Sequence, residues 1–459
     1  MTPSHPAADT PLPPPVTARG ALPLLGHAPA LLTRRMDFLQ AVRAEGDLVR
    51  IRLGSRTAYV VNSPDLIHRV LVTDARRFDK GMIFDRMRPF MGDGLVTSEH
   101  HHHRRQRRLI QPAFHREQVR QYGEHMLRCV DECTADWRSG QVRYLDQDVQ
   151  RLVVDILATT LFATRRARQA AVELNRSLPA FNHGLTARTL LPAWASRLPL
   201  PVLRRFDEAA TRLRAMTDEL VTDHRALGQS HGDLLSLLLS ARDAHTGEGM
   251  TDEEIRDEVI NLLIAGMETT NSTLAWIVHV LGRDPELERR VHEEVHAVTG
   301  GRPLRADDFP RLVHTRHLVC EVLRLHHPLW LIMRRASVPV RLGGARIPAG
   351  TNVIFSPATL HRDPRLYPDP LALRPERWAG TSASQRSFIP FGAGARQCIG
   401  DGFAWMELTL VTARLVQRWQ WRPTPGHRLR PGRSVVIHPG RLPMSLTPRL
   451  PVPGEGAPQ

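Results

Sequence analysis

Residues 391–400 read FGAGARQCIG, from Phe391 to Gly400, and this stretch decides the fold. Cys398 closes a glycine-rich loop and stands where a helix over roughly 399–419 is expected to begin. A helix N-terminus carries unpaired N–H groups and positive potential, which stabilise a thiolate. Gly394 and Gly400 permit the backbone to approach a flat ligand closely. Arg396, two residues before the thiol, can reach an anionic edge of such a ligand. A dinucleotide fingerprint is excluded. Gln397 occupies its third glycine position, and no strand-to-helix unit with an acidic residue follows.

Outward from that loop, helical periodicity dominates. From about 101 to 300, apolar residues recur at i, i+3 and i+4. Pro192 to Pro201 is expected to be a loop within this region. The longest helix is expected from Thr251 to Gly282, opened by a Thr251/Glu254 capping box and free of proline until Pro285. At 1.5 Å per residue it is roughly 48 Å long, enough to cross a domain. Its middle reads AGMETT, Ala265 to Thr270. A mid-helix glycine costs about 1 kcal/mol relative to alanine, so Gly266 implies a close neighbour. A further helix over 311–326 stops before Pro328 and carries Glu321 and Arg324 on one face. The same spacing at Glu117/Arg120, Glu253/Arg256 and Glu286/Arg289 predicts solvated pairs.

Residues 48–62 alternate about Gly54-Ser55 and predict a β-hairpin, followed by a short helix opened by Ser63-Pro64-Asp65. Further strand signals lie at Val338–Leu342, Arg346–Ile347 and Thr351–Phe355. Residues 362–393 are punctuated by proline and glycine. There is neither an internal repeat nor a linker between compact halves. The fold class is therefore predominantly α with a minor β part, in a single domain.

Composition narrows the function classes. The 459 residues are 42% hydrophobic and 24% charged, which is ordinary globular usage and excludes a collagen, a coiled coil and a wholly disordered chain. The formal charge is +15, yet Lys80 is the only lysine among 62 basic residues. So strong an arginine bias reflects genome composition more than a binding face. The densest cluster, Arg104, Arg105, Arg107 and Arg108, lacks interleaved aromatics, so no nucleic acid is expected as a partner. No stretch approaches the ~20 apolar residues of a membrane span, so no membrane anchor is expected. Residues 1–20 form a Pro-rich head, expected to be disordered, without the apolar core of a secretory signal. Cys129, Cys133, Cys320 and Cys398 make no zinc pattern. Cys129 and Cys133 are expected to be buried thiols, and the chain to be cytoplasmic. The run His100 to His102 predicts a surface turn.

The decapeptide at 391–400 fits F-x-x-G-x-R-x-C-x-G, and on it the chain resembles the cytochrome P450 family of haem-thiolate monooxygenases, over about residues 20–445. On this resemblance residues 21–450 form a cytochrome P450 domain. Glu321 and Arg324 then match E-x-x-R, with Arg377 of PERW, residues 375–378, as the expected third partner. Such a carboxylate between guanidiniums is tolerated in the interior only if all are paired, so these three are expected to be structural. AGMETT matches A/G-G-x-D/E-T-T. Residues 103–107, HRRQR, match H-x-x-x-R. Arg334, or Arg335 in the alternative register, matches R-x-A. Leu373 stands where the family usually has phenylalanine.

The resemblance implies haem b, its iron ligated axially by Cys398. Phe391, Gly392, Arg396 and Gly400 would line the cofactor, and His103, Arg107 and Arg334 would meet its propionates with Arg396. Thr269 would hydrogen-bond at the oxygen site and Glu268 would relay protons, while the helix around Gly266 loosens to admit dioxygen. The electrons would come from a ferredoxin and its NAD(P)H-dependent reductase, docking on a basic face. The substrate would be a small apolar molecule. Phe84, Met87, Phe90, Phe181, Ala265, Trp330 and Leu331 are its candidate pocket, and actinobacterial terpene hydroxylases are the resembling branch. Two other readings compete. A peroxide-driven peroxygenase or decarboxylase would usually carry Arg-Pro in place of Glu268-Thr269. A haem-based gas sensor would need no proton relay.

Overall fold

The computed structural model describes residues 15–161, 167–190, 198, 200–227, 233–380, 386–432 and 436–449. Expected features at residues 1–14, and at most of 191–199, lie outside the described residues. Two compact units emerge, each built from three stretches of chain. Unit 1 takes residues up to 83, 330–368 and 385–397; unit 2 takes 84–329, 369–384 and 398–459. This threading explains why no linker is visible in the sequence.

Unit 1 contains β1 (Val16–Thr17), α1 (Ala28–Thr33), α2 (Arg35–Glu45), β2 (Leu48–Leu53), β3 (Arg56–Val61), α3 (Pro64–His68) and β4 (Phe78–Asp79). Its later part adds β6 (Ile332–Ala336), β7 (Val340–Leu342), β8 (Ala345–Ile347), β9 (Asn352–Phe355) and α14 (Pro357–Leu360). Six strands form one sheet in the order β1-β2-β3-β9-β6-β4. The predicted hairpin is its centre: Leu48 pairs with Val61 and Leu53 with Arg56, around Gly54 at φ 64°. Val16 and Thr17, inside the head expected to be disordered, instead pair parallel with Val49 and Arg50. Backbone pairing there outweighs the Pro-rich composition. Strand β6 was not predicted, because its sequence, IMRRA, places two arginines in a five-residue strand. The inward side chains of this sheet, among them Tyr59, Val61, Val353 and Phe355, pack with Leu66, Ile67 and Leu71 into the unit's core.

Unit 2 holds most of α4 (Met82–Met91), then α5 (His100–Ile110), α6 (Arg116–Thr134), β5 (Val142–Tyr144), α7 (Leu145–Leu161), α8 (Ala167–Leu190) and α9 (Pro201–Leu227). It continues with α10 (Leu234–Ser240), α11 (Asp252–Arg283), α12 (Pro285–Thr299), α13 (Val313–Leu325), α15 (Asp401–Arg418), β10 (Trp419–Pro423) and β11 (Pro443–Pro448). Strands β10, β11 and β5 form a small antiparallel sheet. Helix α11 is the predicted long helix, and its capping box is present. Glu254 N donates to Thr251 Oγ1 at 3.2 Å, and Thr251 N donates to Glu254 Oε2 at 2.8 Å. Asp252, Glu253 and Glu254 in the first turn complement the helix dipole.

One face of α11 grips the chain between α4 and α5. Asp257 accepts from Asp93 N at 2.8 Å, Glu258 from Leu95 N at 3.0 Å, and Asn261 from Val96 N at 3.0 Å. The approach is close enough that a Cβ on Gly94 would lie 2.6 Å from Asn261 Nδ2. Helix α9 holds the end of α4 through Arg214, which donates to Pro89 O at 3.0 Å and Phe90 O at 3.3 Å. Among the described residues, no helix is long and apolar enough to cross a membrane.

Candidate active site

Cys398 stands at the N-terminal side of α15, but the helix opens later than expected. Gly400 is its N-cap and Asp401 its first residue, so the thiol precedes the helix by a short turn. The Gly400 N–H still reaches the thiol. Burial among protein atoms pushes the Cys398 thiol up to about 11, although the residue remains open to solvent-sized space; the Gly400 N–H and Arg107 pull the other way and Asp401 adds to the rise. The remaining three cysteines are free and buried. Burial also raises Cys129 and Cys320, to about 11 and about 12; what sets Cys398 apart is that it is exposed while the other three are buried.

The glycines of the loop have reasons that the sequence did not disclose. Gly392 and Gly394 both have φ 72°, a conformation that favours glycine. A Cβ on Gly394 would meet Leu71 O at 2.1 Å, so this glycine admits backbone from the turn after α3. At Gly400 a Cβ would be 3.5 Å from Phe114, an ordinary contact. Gly266 likewise faces protein: its Cβ would lie 3.2 Å from Leu157 of α7.

Helix α5 carries His103 and Arg107 one turn apart, on the same side. His103 is buried and Arg107 half-buried. Their neighbours are tied elsewhere: Arg105 pairs with Glu254 at 2.7 Å and Arg108 with Asp243 at 2.7 Å. The arginine cluster is thus partly neutralised by acids. His100 to His102 form the first turn of α5, not a surface turn before it. In unit 1, strand β6 separates the two candidate arginines by face. Arg335 pairs with Asp79 at 3.7 Å, its register partner on β4, whereas Arg334 is buried. Phe391 and Arg396 are half-buried in the same unit.

Glu321 is fully buried and fully used. Its Oε2 accepts from Arg324 Nε at 2.9 Å and Trp378 Nε1 at 3.0 Å. Its Oε1 accepts from Arg324 Nη2 at 2.8 Å, the Arg374 N–H at 2.9 Å and Arg377 Nε at 3.4 Å. Arg324 completes its own bonding on Pro370 O at 2.6 Å and Ala372 O at 3.1 Å. Sequence reasoning found the three charged residues but missed Trp378 and the Arg374 amide. Of the decoy pairs, Glu117/Arg120 and Glu286/Arg289 are exposed as expected, while Arg256 turns to Asp218.

At the middle of α11, Ala265 is exposed although the helix is otherwise largely buried, which marks an open space beside it. The helix is continuous through this point. Thr269 Oγ1 donates to Ala265 O at 2.7 Å. Glu268 accepts from Asn182 Nδ2 of α8 at 2.5 Å. Burial pushes the Glu268 carboxyl above its ordinary range, while the Asn182 amide and the charge of His183 pull it down. No sequence signal marks Asn182, which has no motif and lies 86 residues from its partner.

The apolar candidates separate into two kinds. Phe84, Met87 and Phe90 of α4 are half-buried, as is Leu331. Phe181 belongs to the core: it is 1% exposed and packs on Phe206 of α9 at 4.9 Å between ring centroids. Phe90 meets the same Phe206 edge-on at 4.7 Å, and the Arg188 guanidinium lies 4.8 Å from the Phe90 centroid. Trp330 is also buried, with Arg35 5.5 Å from its ring centroid. Phe206 and Arg188 were not foreseen.

These residues suit a flat, dianionic iron cofactor. The only exposed cysteine of the four lies just before a helix N-terminus, where the Gly400 N–H reaches it and the charge of Arg107 acts on it. Histidine and arginine stand one turn apart on α5, and a mid-helix alanine opens onto space. The comparisons agree. The cytochrome P450 family model matches residues 11–442. The chain is 40% identical to cyclooctat-9-en-7-ol 5-monooxygenase of Streptomyces melanosporofaciens, over 94% of this chain and 95% of that protein. It is 41% identical to cyclooctatin synthase of the same organism, over 94% and 95%. It is 39% identical to pentalenene oxygenase of Streptomyces avermitilis, over 95% and 98%. A family match of this extent, with the thiol loop and the long helix both formed, makes the chain a monooxygenase belonging to the cytochrome P450 family.

Proposed function

We propose that this monooxygenase inserts one oxygen atom of dioxygen into a C–H bond of an apolar terpenoid. Electrons would come from a ferredoxin and its NAD(P)H-dependent reductase. The observation that carries the substrate class is near-full-length similarity to proteins named for cyclooctat-9-en-7-ol and pentalenene. The candidate pocket residues Phe84, Met87, Phe90, Ala265 and Leu331 supply no fixed charge, which suits a hydrocarbon skeleton. The +15 formal charge favours an acidic electron donor. Free cysteines accord with a reducing, cytoplasmic compartment.

Haem b, bound through the Cys398 thiolate, supplies the activation of dioxygen. The chain's own residues do the rest. The Gly400 N–H and Arg107 favour negative charge on the Cys398 sulfur. His103, Arg107, Arg334 and Arg396 would hold the propionates, and Arg334 is favoured over Arg335 because Arg335 already pairs with Asp79. Phe391, Gly392 and Gly400 would line the cofactor. Thr269 donates its hydroxyl proton to Ala265 O, which leaves its oxygen lone pairs to accept a hydrogen bond in the open space. Burial disfavours the ionised form of Glu268, against the opposing pull of the Asn182 amide and His183, and the carboxyl would serve as the proton donor of the relay.

The test is optical. The dithionite-reduced protein with carbon monoxide should give a strongly red-shifted Soret band, and Cys398→Ala should abolish it. Pentalenene or cyclooctat-9-en-7-ol should shift the ferric spin state at low micromolar concentration. A folded, haem-supplied protein without the red-shifted band would overturn the assignment of Cys398. A spin state indifferent to terpenoids but responsive to fatty acids would overturn the substrate class.

A further inference from the structure

Helix α8 is fixed to α9 by contacts that do not involve Asn182. A Cβ on Gly184 would lie 2.2 Å from Phe206 Cβ, so the α8 backbone rests directly on that side chain. Phe181 packs on the same ring, Arg188 pairs with Asp207 at 2.6 Å, and Arg212 of α9 bonds Glu173 and Ser177 of α8, each at 3.1 Å. Asn182, adjacent to Phe181, points instead to α11 and donates to Glu268 Oε1 at 2.5 Å. We propose that Asn182 is a positioning residue for the proton relay, fixing the orientation of the Glu268 carboxyl from a neighbouring helix. This rests on the reading of Glu268 as the relay acid.

The chemistry favours an amide at this place. A guanidinium or ammonium would hold Glu268 as a permanent anion and stop it from carrying a proton. The neutral amide orients one carboxyl oxygen and leaves the other to hold or release the proton. His183 is the titratable group that acts on Glu268 from α8, and it is exposed, with Nδ1 2.7 Å from Pro179 O. Asn182 therefore supplies direction, and burial disfavours the ionised carboxylate. Because Asn182 rides on α8, the position of that helix is transmitted to the carboxyl.

The experiment compares the holoenzyme with Asn182→Ala, Asn182→Gln, Glu268→Gln and the Asn182→Ala/Glu268→Gln double variant. Infrared difference spectra across pH report the protonated carboxyl of Glu268, identified as the band missing in Glu268→Gln. Loss of the Asn182 donor should move its titration midpoint upward, because the amide favours the ionised form. Asn182→Gln should restore part of the shift. In turnover with a ferredoxin, Asn182→Ala should raise several-fold the share of electrons lost as hydrogen peroxide, and should add nothing to the loss in Glu268→Gln. An unchanged midpoint, or additive losses in the double variant, would overturn the proposal alone. A Glu268→Gln variant with unchanged peroxide loss would overturn the reading of Glu268 itself and, with it, the proposal.

Discussion

Glu321→Gln tests how the interior is held, because it changes one charge and almost no volume. The carboxylate takes five hydrogen bonds from four residues, and Arg324 beside it is completely shielded from solvent. Glutamine retains one acceptor oxygen but turns an NH₂ toward donors. Two bonds are lost outright, and the Arg324 charge loses its counter-ion. Breaking a buried pair by removing one partner costs about 3–5 kcal/mol. That is a fifth or more of the ~5–15 kcal/mol that holds a typical domain, and it raises the unfolded fraction by roughly 10²- to 10⁴-fold. Trp378→Phe is the control. It removes one donor at 3.0 Å while leaving every charge paired, and should cost about 1.5–3 kcal/mol, the range for a hydrogen bond to a charged group. Urea unfolding followed by far-UV circular dichroism measures both. If Glu321→Gln lay within 1 kcal/mol of the parent, or cost less than Trp378→Phe, the argument from an uncompensated buried guanidinium would be wrong.

Glu258 predicts a pH dependence of stability. It is completely buried, its Oε2 accepts from Leu95 N at 3.0 Å, and its Oε1 has no partner among the described residues. Burial pushes its carboxyl up to about 8, with Asp257, Glu254 and Asp93 adding to the rise and the Leu95 N–H opposing it. Between the ordinary value of 4.5 and about 8, the folded chain keeps a proton that the unfolded chain has released. Stability from this group therefore falls as pH rises through that window, by on the order of 5 kcal/mol in all, and is flat outside it. Glu258→Gln should remove the slope in urea melts from pH 5 to pH 9; an identical slope in both proteins would refute the burial argument. Gly394→Ala combines positive φ with a Cβ against Leu71 O, and should destabilise by about 2 kcal/mol or more, read as a lower melting temperature. An unchanged melt would refute it. Phe206→Ala removes the ring shared by Phe181 and Phe90 and should cost about 3–5 kcal/mol in the same assay, whereas a loss below 1 kcal/mol would show that α4, α8 and α9 are held by other contacts.

Much of the fold was legible because it depends on local chemistry. The hairpin about Gly54-Ser55, the capping box at Thr251 and Glu254, and the helix stop before Pro328 each follow from neighbouring residues in the chain. The residue types of the thiol loop, at their spacing, named the family without any coordinates. The same locality explains what failed. Strand β6 and the pairing of Val16 with Val49 depend on partners elsewhere in the chain, which outweigh a composition that argues against strand.

The candidate site divides along the same line. The sequence by itself determined that a cysteine, a glutamate–threonine pair and a buried Glu–Arg–Arg set exist, because motif spacing records which residues share a turn or a face. Only the tertiary structure decided that Arg335 is engaged by Asp79, that Phe181 is core, that Gly394 yields to Leu71, and that Trp378 completes the Glu321 cluster. It alone brought Asn182 to Glu268. Such contacts join residues tens to hundreds of positions apart, through distance and direction in space. A hydrogen bond of that kind leaves no period, cap or spacing along the chain from which it could be read.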